Sequence, residues 1–221
     1  MDDDIARLVR LMKTGEGDEK HDPSAYSTLD VIWVLYDKIL RFDPENPRSE
    51  DRDRFVLSKG HGPLGFYAVL ADKGYFPPEE LRHFMTWEGI LGGHPDRNQV
   101  PGVEASTGSL GHGLPMAIGM ALGLRMKRRD RRVFVLLGDG ECNEGSVWES
   151  VLLAGNLGLA NLTCIVINNH SSTRDLGDLA QKLGTFGWAA TSVNGRDHAA
   201  IEAALAHTDE RRPAAVVADV G

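Results

Sequence analysis

VLLGDGECNEGSVWESVLLAGNLGLANLTCIVINN, residues 135–169, holds two apolar runs that each stop at a small, oxygen-bearing side chain. The first breaks on Gly138-Asp139-Gly140 and the second on Asn168-Asn169. Short apolar runs bounded by turn residues read as buried strands, and the stretch 146–158 between them reads as a helix. Strand, helix and strand in that order imply a parallel sheet covered on both faces. Ligands of such sheets bind beyond the carboxyl ends of the strands. Asp139 and Asn169 both fall there, on strands expected to be neighbours. Gly138 and Gly140 let the backbone come close to a ligand. A carboxylate and an amide oxygen held together suit a hard cation such as Mg2+, which completes its octahedron with phosphate and water oxygens. Taken alone, Gly-Asp-Gly is more often a plain turn and Asn-Asn a cap. Both at strand ends, in this order, point to a metal–diphosphate site.

Outward from that stretch the rhythm continues. WAATSV (188–193) and AAVVADV (214–220) read as further buried strands beside VFVLL (133–137) and LTCIVI (162–167), with helices expected over 174–186 and 198–207. Towards the N-terminus, Ile5 to Met12 is a short amphipathic start and 14–27 a polar loop. TLDVIWVLYDKILRF places Leu29, Ile32, Trp33, Tyr36, Ile39 and Leu40 at helical spacing. A charged segment then leads into FVLSKGHGPLG, residues 63–72 are helical in pattern, and Pro77-Pro78-Glu79-Glu80 is a helix start. Residues 89–113 are rich in Gly, Pro and polar side chains, too long for an idle connection, and are expected to lie over a site. Residues 114–126 form a small-residue, apolar helix. The expected fold is α/β, a three-layer αβα arrangement around a mostly parallel sheet, with 1–221 as one domain.

Composition narrows the function classes. A net charge of −8 over 221 residues argues against nucleic acid and anionic membranes, which select basic surfaces. The two cysteines, Cys142 and Cys164, sit in no CxxC or Cys/His cluster, which fits a reducing compartment and speaks against a disulfide scaffold or structural zinc. The start MDDDIARLVRLMK is too acidic for a presequence, and no apolar run reaches the length of a membrane span. A soluble, cytoplasmic protein is expected.

The motifs together resemble the transketolase family. GDG followed by NN resembles the thiamine-diphosphate motif, and GECNEGSVWES its transketolase version, with Glu144 five positions after the aspartate. HDPSAYSTLDVIWVLY is similar to the family's N-terminal histidine, Ser-rich turn and helix. LSKGHG resembles its second histidine motif, GGHPD its third, and STGSLGHGLPMAIGMALG its Gly-rich loop and helix.

The resemblance implies the thiamin-diphosphate-binding fold of the diphosphate-binding (PP) domain, with thiamine diphosphate and Mg2+ (or Ca2+) as cofactors. It implies Asp139, Asn169 and the Ser171 carbonyl as metal ligands. His61, Gly108, Ser109, Leu110, Gly140 and Asn169 would contact the cofactor, although Leu110 reads equally as core. His21, His61 and His94 would line the channel, where imidazoles donate to a developing oxyanion and shuttle a hydroxyl proton; Glu144 completes the catalytic set. His83, His170, His198 and His207 match no family site. His112 stands where the family carries glutamine and reads equally as a helix-start residue. Lys20 stands where the family usually has glycine, and the segment from His170 to Gly187 is shorter than usual. The family's activating glutamate and substrate-phosphate arginines belong to a pyrimidine-binding domain that the sequence lacks. The implied function is therefore the N-terminal subunit of a split transketolase, moving a two-carbon ketol unit between sugars or sugar phosphates. It would pair with a separate C-terminal subunit, most naturally as α2β2. The alternatives are a 1-deoxyxylulose-5-phosphate synthase-like chain, a 2-oxoacid dehydrogenase alpha subunit, or a non-catalytic cofactor-binding subunit.

Overall fold

The computed structural model describes residues 3–15, 17 and 22–221. Five strands form one sheet among these residues: β1 (Arg54–Leu57), β2 (Val133–Gly138), β3 (Leu162–Asn168), β4 (Ala189–Asn194) and β5 (Ala214–Asp219). Their order is β1-β2-β3-β5-β4, and every neighbouring pair is parallel. Parallel neighbours cannot be joined by a tight turn, so each crossover carries a helix onto a face of the sheet.

Side chains alternate across the sheet with a period of two. Phe134, Leu136, Ile165 and Ile167 pack with α1 (Asp3–Met12), α2 (Asp22–Val34), α3 (Leu64–Asp72) and α7 (His198–Ala206). Val133, Val135, Leu137, Cys164 and Val166 pack with α4 (Gly113–Met126), α5 (Gly145–Asn156) and α6 (Leu179–Thr185). This is the three-layer αβα arrangement expected, with a wholly parallel sheet. No described helix is long and apolar enough to cross a membrane.

Four elements differ from the sequence reading. β1 was hidden because its four residues follow a charged segment. Those charges are internal partners: buried Asp53 accepts from Arg41 N at 2.9 Å and Arg132 N at 2.8 Å, and buried Arg52 pairs with Glu104. The polar stretch 14–27 is not all loop, since α2 begins at Asp22, with Pro23 in the first turn where its missing N–H costs nothing. The helix expected over 174–186 shrinks to α6 because Asp178 caps it, accepting from Gln181 N at 2.9 Å. β4 is an edge strand, and Thr191, Ser192 and Asn194 are exposed rather than buried.

The sheet decides where the candidate site side chains end up. β2 and β3 pair from Val133↔Leu162 to Gly138↔Ile167, and Asp139 N continues the ladder by donating to Ile167 O at 2.9 Å. Asp139 and Asn169 therefore leave the carboxyl ends of adjacent strands.

Candidate functional site

Asp139 is 2 % exposed and caps the 3-10 turn Gly140–Asn143. Its Oδ1 accepts from Gly140 N at 2.7 Å and from Ser171 Oγ at 2.9 Å, and its Oδ2 accepts from Ser172 N at 3.1 Å. Asn169 Oδ1 accepts from Ser171 N at 3.2 Å. The strand ends thus bring together a carboxylate, an amide oxygen and the 171–172 backbone. Every donor to Asp139 is neutral, and among the described residues it makes no ion pair. A buried carboxylate without a positive partner is costly, and a bound cation would balance it. The all-oxygen set suits Mg2+ or Ca2+. Among the described residues no group of three or more His, Cys, Asp or Glu forms a metal cluster, so a cation here needs neutral and ligand oxygens. Ser171 meets Asp139 through its hydroxyl. A side chain added at Gly140 would meet nothing within 4 Å, so the turn faces open space.

A second group of residues gathers around the loop 108–113. A Cβ on Gly60 (φ +71°) would lie 2.5 Å from Gly108 N, and one on Gly108 (φ +139°) would lie 2.6 Å from His94 Cδ2. Both conformations favour glycine, and they let the His61 turn, the 108–113 loop and His94 meet in direct contact. His61 is half-buried, with Nδ1 3.0 Å from Lys59 O. A carbonyl only accepts, so Nδ1 carries the proton in this contact. His94 is exposed; Tyr67 Oη lies 3.0 Å from both Gly92 O and His94 O and fixes the backbone beneath it. Glu144, exposed at the start of α5, lies against Gly111, and Ser146 Oγ donates to Gly111 O at 2.9 Å. Ser109 is exposed, and Gly108 and Leu110 are half-buried. His21, with Lys20, lies outside the described residues.

The two groups are joined by residues the sequence reading did not single out. Glu141 is 2 % exposed; its Oε1 accepts from Ser58 Oγ at 2.6 Å and Gly111 N at 2.8 Å. Burial raises its pKa above the ordinary carboxylate value, against the lowering effect of these hydrogen bonds and of Lys59. Lys59 Nζ donates to Ser24 O at 2.9 Å and Ser24 Oγ at 2.5 Å. Ser58, Lys59 and Glu141 all lie inside quoted motifs, but polarity suggested exposure, and no local pattern reports that a lysine or glutamate points inward.

The remaining histidines have structural partners or end helices. His112 precedes α4 with Nδ1 3.0 Å from Leu110 O. His198 Nε2 lies 2.8 Å from Asp30 Oδ1 with its ring against Trp33, tying α7 to α2. His170 Nε2 lies 3.2 Å from Asp219 Oδ1, and His207 ends α7. Two clefts of about 670 Å3 each lie elsewhere, one along β4 and α7 near Trp188 and His207, the other beside Arg52 and Arg54. The chemistry of the strand-end residues rather than cleft size identifies them.

The family model for the transketolase, thiamine diphosphate binding domain matches residues 4–219. A protein of Rhodococcoides fascians named ferredoxin fas2 is 49% identical over 99% of the chain and 71% of its own length. One of the subunits of the apulose-4-phosphate transketolase of Actinobacillus succinogenes is 35% identical over 87% of the chain and 72% of its own length. Among solved structures, a transketolase from Leishmania mexicana superposes with a TM-score of 0.87 at 28% identity, covering 98% of the chain. The chain spans only 36% of that transketolase.

Proposed function

The chain belongs to the transketolase family, in its thiamine-diphosphate-binding domain, and from that premise we propose that it is the N-terminal subunit of a two-component transketolase. In this reading it holds thiamine diphosphate and Mg2+ and works with a separate chain carrying the pyrimidine-binding domain, as α2β2. It transfers a two-carbon ketol unit from a ketose to an aldehyde, with sugars or sugar phosphates as substrates, in the cytoplasm. The observation that carries the reading is buried Asp139, with neutral donors only, at a strand end beside Asn169 and Ser171. The match, along 87% of the chain, to a relative that is itself one subunit of a transketolase supports the two-chain arrangement. An iron–sulfur electron carrier, suggested by the name of the Rhodococcoides relative, is the weaker reading. Two buried cysteines do not supply the four thiolates such a cluster takes.

When bound, thiamine diphosphate supplies the electron sink for breaking and forming a carbon–carbon bond beside a carbonyl. The protein's residues bind, orient and move protons around it. Asp139, Asn169 and Ser171 hold the cation, and Gly140 brings its backbone to the diphosphate. Gly108, Ser109 and Leu110 pack along the cofactor. His61, with Nδ1 committed to Lys59 O, presents Nε2 as its basic nitrogen. His21, His61 and His94 take up the hydroxyl proton and, once protonated, donate to the substrate oxygen as charge develops. Glu144, against Gly111, is the acid beside the 108–113 loop.

The test is a titration of thiamine diphosphate and Mg2+ into the chain with and without its partner. Binding to the chain alone is expected to be weak. Adding the partner tightens it by ~tenfold or more, about 1.4 kcal/mol, and permits ketol transfer. Equal affinity and full turnover without the partner would overturn the two-chain reading.

A further inference from the structure

The segments assigned to ligand roles touch one another mainly through glycine backbone, and what fixes them lies one layer deeper. Ser58 and Lys59 are the two residues after β1, and both are buried, as is Glu141 in the turn after β2. Ser58 Oγ donates to Glu141 Oε1 at 2.6 Å and accepts from Gly113 N, the first residue of α4, at 3.1 Å. The same Glu141 oxygen accepts from Gly111 N at 2.8 Å. Lys59 reaches the other way, to Ser24 in the first turn of α2. Its stem lies under the GDG turn, where a Cβ on Gly138 would be 3.7 Å from Lys59 Cδ. Two successive residues at one strand end therefore connect four segments: the GDG turn, the loop 108–113, the His61 turn and the start of α2.

The packing leaves this arrangement little slack. A Cβ on Gly113 would sit 2.3 Å from Ser58 Oγ, and one on Gly111 would sit 2.3 Å from Ser146 Oγ. The second oxygen of Glu141, Oε2, is buried without a hydrogen-bond partner. A buried carboxylate satisfied on one side is an expensive way to stabilise a fold. Its return is geometric. One oxygen accepting two donors from different segments sets their separation more narrowly than apolar packing does. Binding sites gain affinity when their loops are ordered before the ligand arrives.

We infer that Glu141 is a positioning residue that, through Ser58 and Gly111, holds the loop 108–113 in its cofactor-receiving shape against the His61 turn. This role rests on the thiamine-diphosphate reading above and goes beyond it, because Glu141 is not assigned to touch the cofactor, metal or substrate. The clamp belongs to the protein before ligand binds, so it can be tested with and without cofactor.

Hydrogen exchange on the purified full-length protein without ligand gives the first readout. In Glu141→Ala the amides of Gly111 and Gly113 are expected to exchange at least ~tenfold faster while β3 amides hold their rates. Glu141→Gln, which keeps an oxygen acceptor, restores most of the protection. Ser58→Ala releases Gly113 alone and leaves Glu141 in place, so it serves if the alanine variant fails to fold. The second readout uses the complex with the partner chain, thiamine diphosphate and Mg2+. There the KM for thiamine diphosphate rises by ~tenfold or more in Glu141→Ala, more than kcat falls, with rescue by glutamine. Unchanged exchange at Gly111 and Gly113 in both Glu141→Ala and Ser58→Ala would overturn the clamp. A uniform acceleration across the sheet would also overturn it, by reducing Glu141 to a general stabiliser. Failure of the wild-type complex to bind thiamine diphosphate would instead overturn the functional reading, and the exchange result would still stand.

Discussion

The two sides of the candidate site are built differently. Around Asp139 a buried carboxylate is held by three hydrogen bonds, two of them from backbone N–H groups. Around His94 the candidate side chain is exposed, and the rigid parts are the backbone beneath it and the glycine beside it. A charge-binding half has to be preorganised, because dipoles that reorient on binding give back much of what they contribute. A half that admits, turns and releases substrate needs access. The contrast makes separable predictions: damage to the Asp139 side should appear in binding, and damage to the histidine side in rate.

The largest loss of cofactor binding is expected from Asp139→Ala. Loss of the one carboxylate should remove metal-dependent thiamine diphosphate binding, a drop of ~100-fold or more, or about 3 kcal/mol. Calorimetric titration with and without Mg2+ checks it. Wild-type affinity in the mutant would show that the cation, if bound, sits elsewhere, and the comparison would collapse. His94→Ala is the complementary experiment. Turnover in the complex should fall by about 10^2 to 10^4, the range of a lost acid–base group, while thiamine diphosphate affinity stays within about threefold. A mutant that loses affinity as steeply as rate would place His94 on the binding side.

How much of this division could be read from the sequence differs between the two sides as well. The ends of β2 and β3 were legible because long apolar runs stop abruptly at glycine, aspartate and asparagine, and periodicity needs no tertiary information. β1 was not, because four residues flanked by Arg52-Asp53 and Ser58-Lys59 carry too little pattern and its pairing with β2 spans nearly eighty positions. The edge position of β4 was invisible for a related reason. A run such as WAATSV reads the same whether its outer face meets a helix or water. The ligand-type residues stood out through Gly-rich context. Ser58, Lys59 and Glu141 lie in the same motifs but act by facing inward, and inward orientation is a property of the packed molecule.

Gly140→Ala sharpens the comparison at smaller cost. An added methyl would meet nothing within 4 Å, and the residue is not in the left-handed region. Thermal stability should therefore change by no more than about 0.5 kcal/mol. If the diphosphate approaches this backbone, the methyl occupies its space, and affinity for thiamine diphosphate should fall by ~tenfold. An unchanged affinity would move the diphosphate away from Gly140.

The smallest effect concerns Cys142, which reports on the Asp139 side without touching a ligand. Its thiol is buried in the turn after Asp139 and lies 3.6 Å from Gly138 O. Burial first, then the charges of Glu141 and Asp139, push its pKa up to about 12. Thiol reagents attack the thiolate, and an unfolded cysteine titrates near 8.5. In the native protein at pH 8 the thiolate is thus about 10^4-fold rarer than the thiol, whereas in urea roughly a quarter is ionised. Native labelling by iodoacetamide should be slow at pH 8 and rise about tenfold per pH unit through pH 10 without levelling. In denaturant it should level off above about pH 9. Burial also raises the Cys164 thiol well above its ordinary value, so the assay follows modification at Cys142 by peptide mapping. A native profile that levels near pH 9 would mean the turn opens often enough to expose Cys142. The Asp139 side would then be no more preorganised than the histidine side.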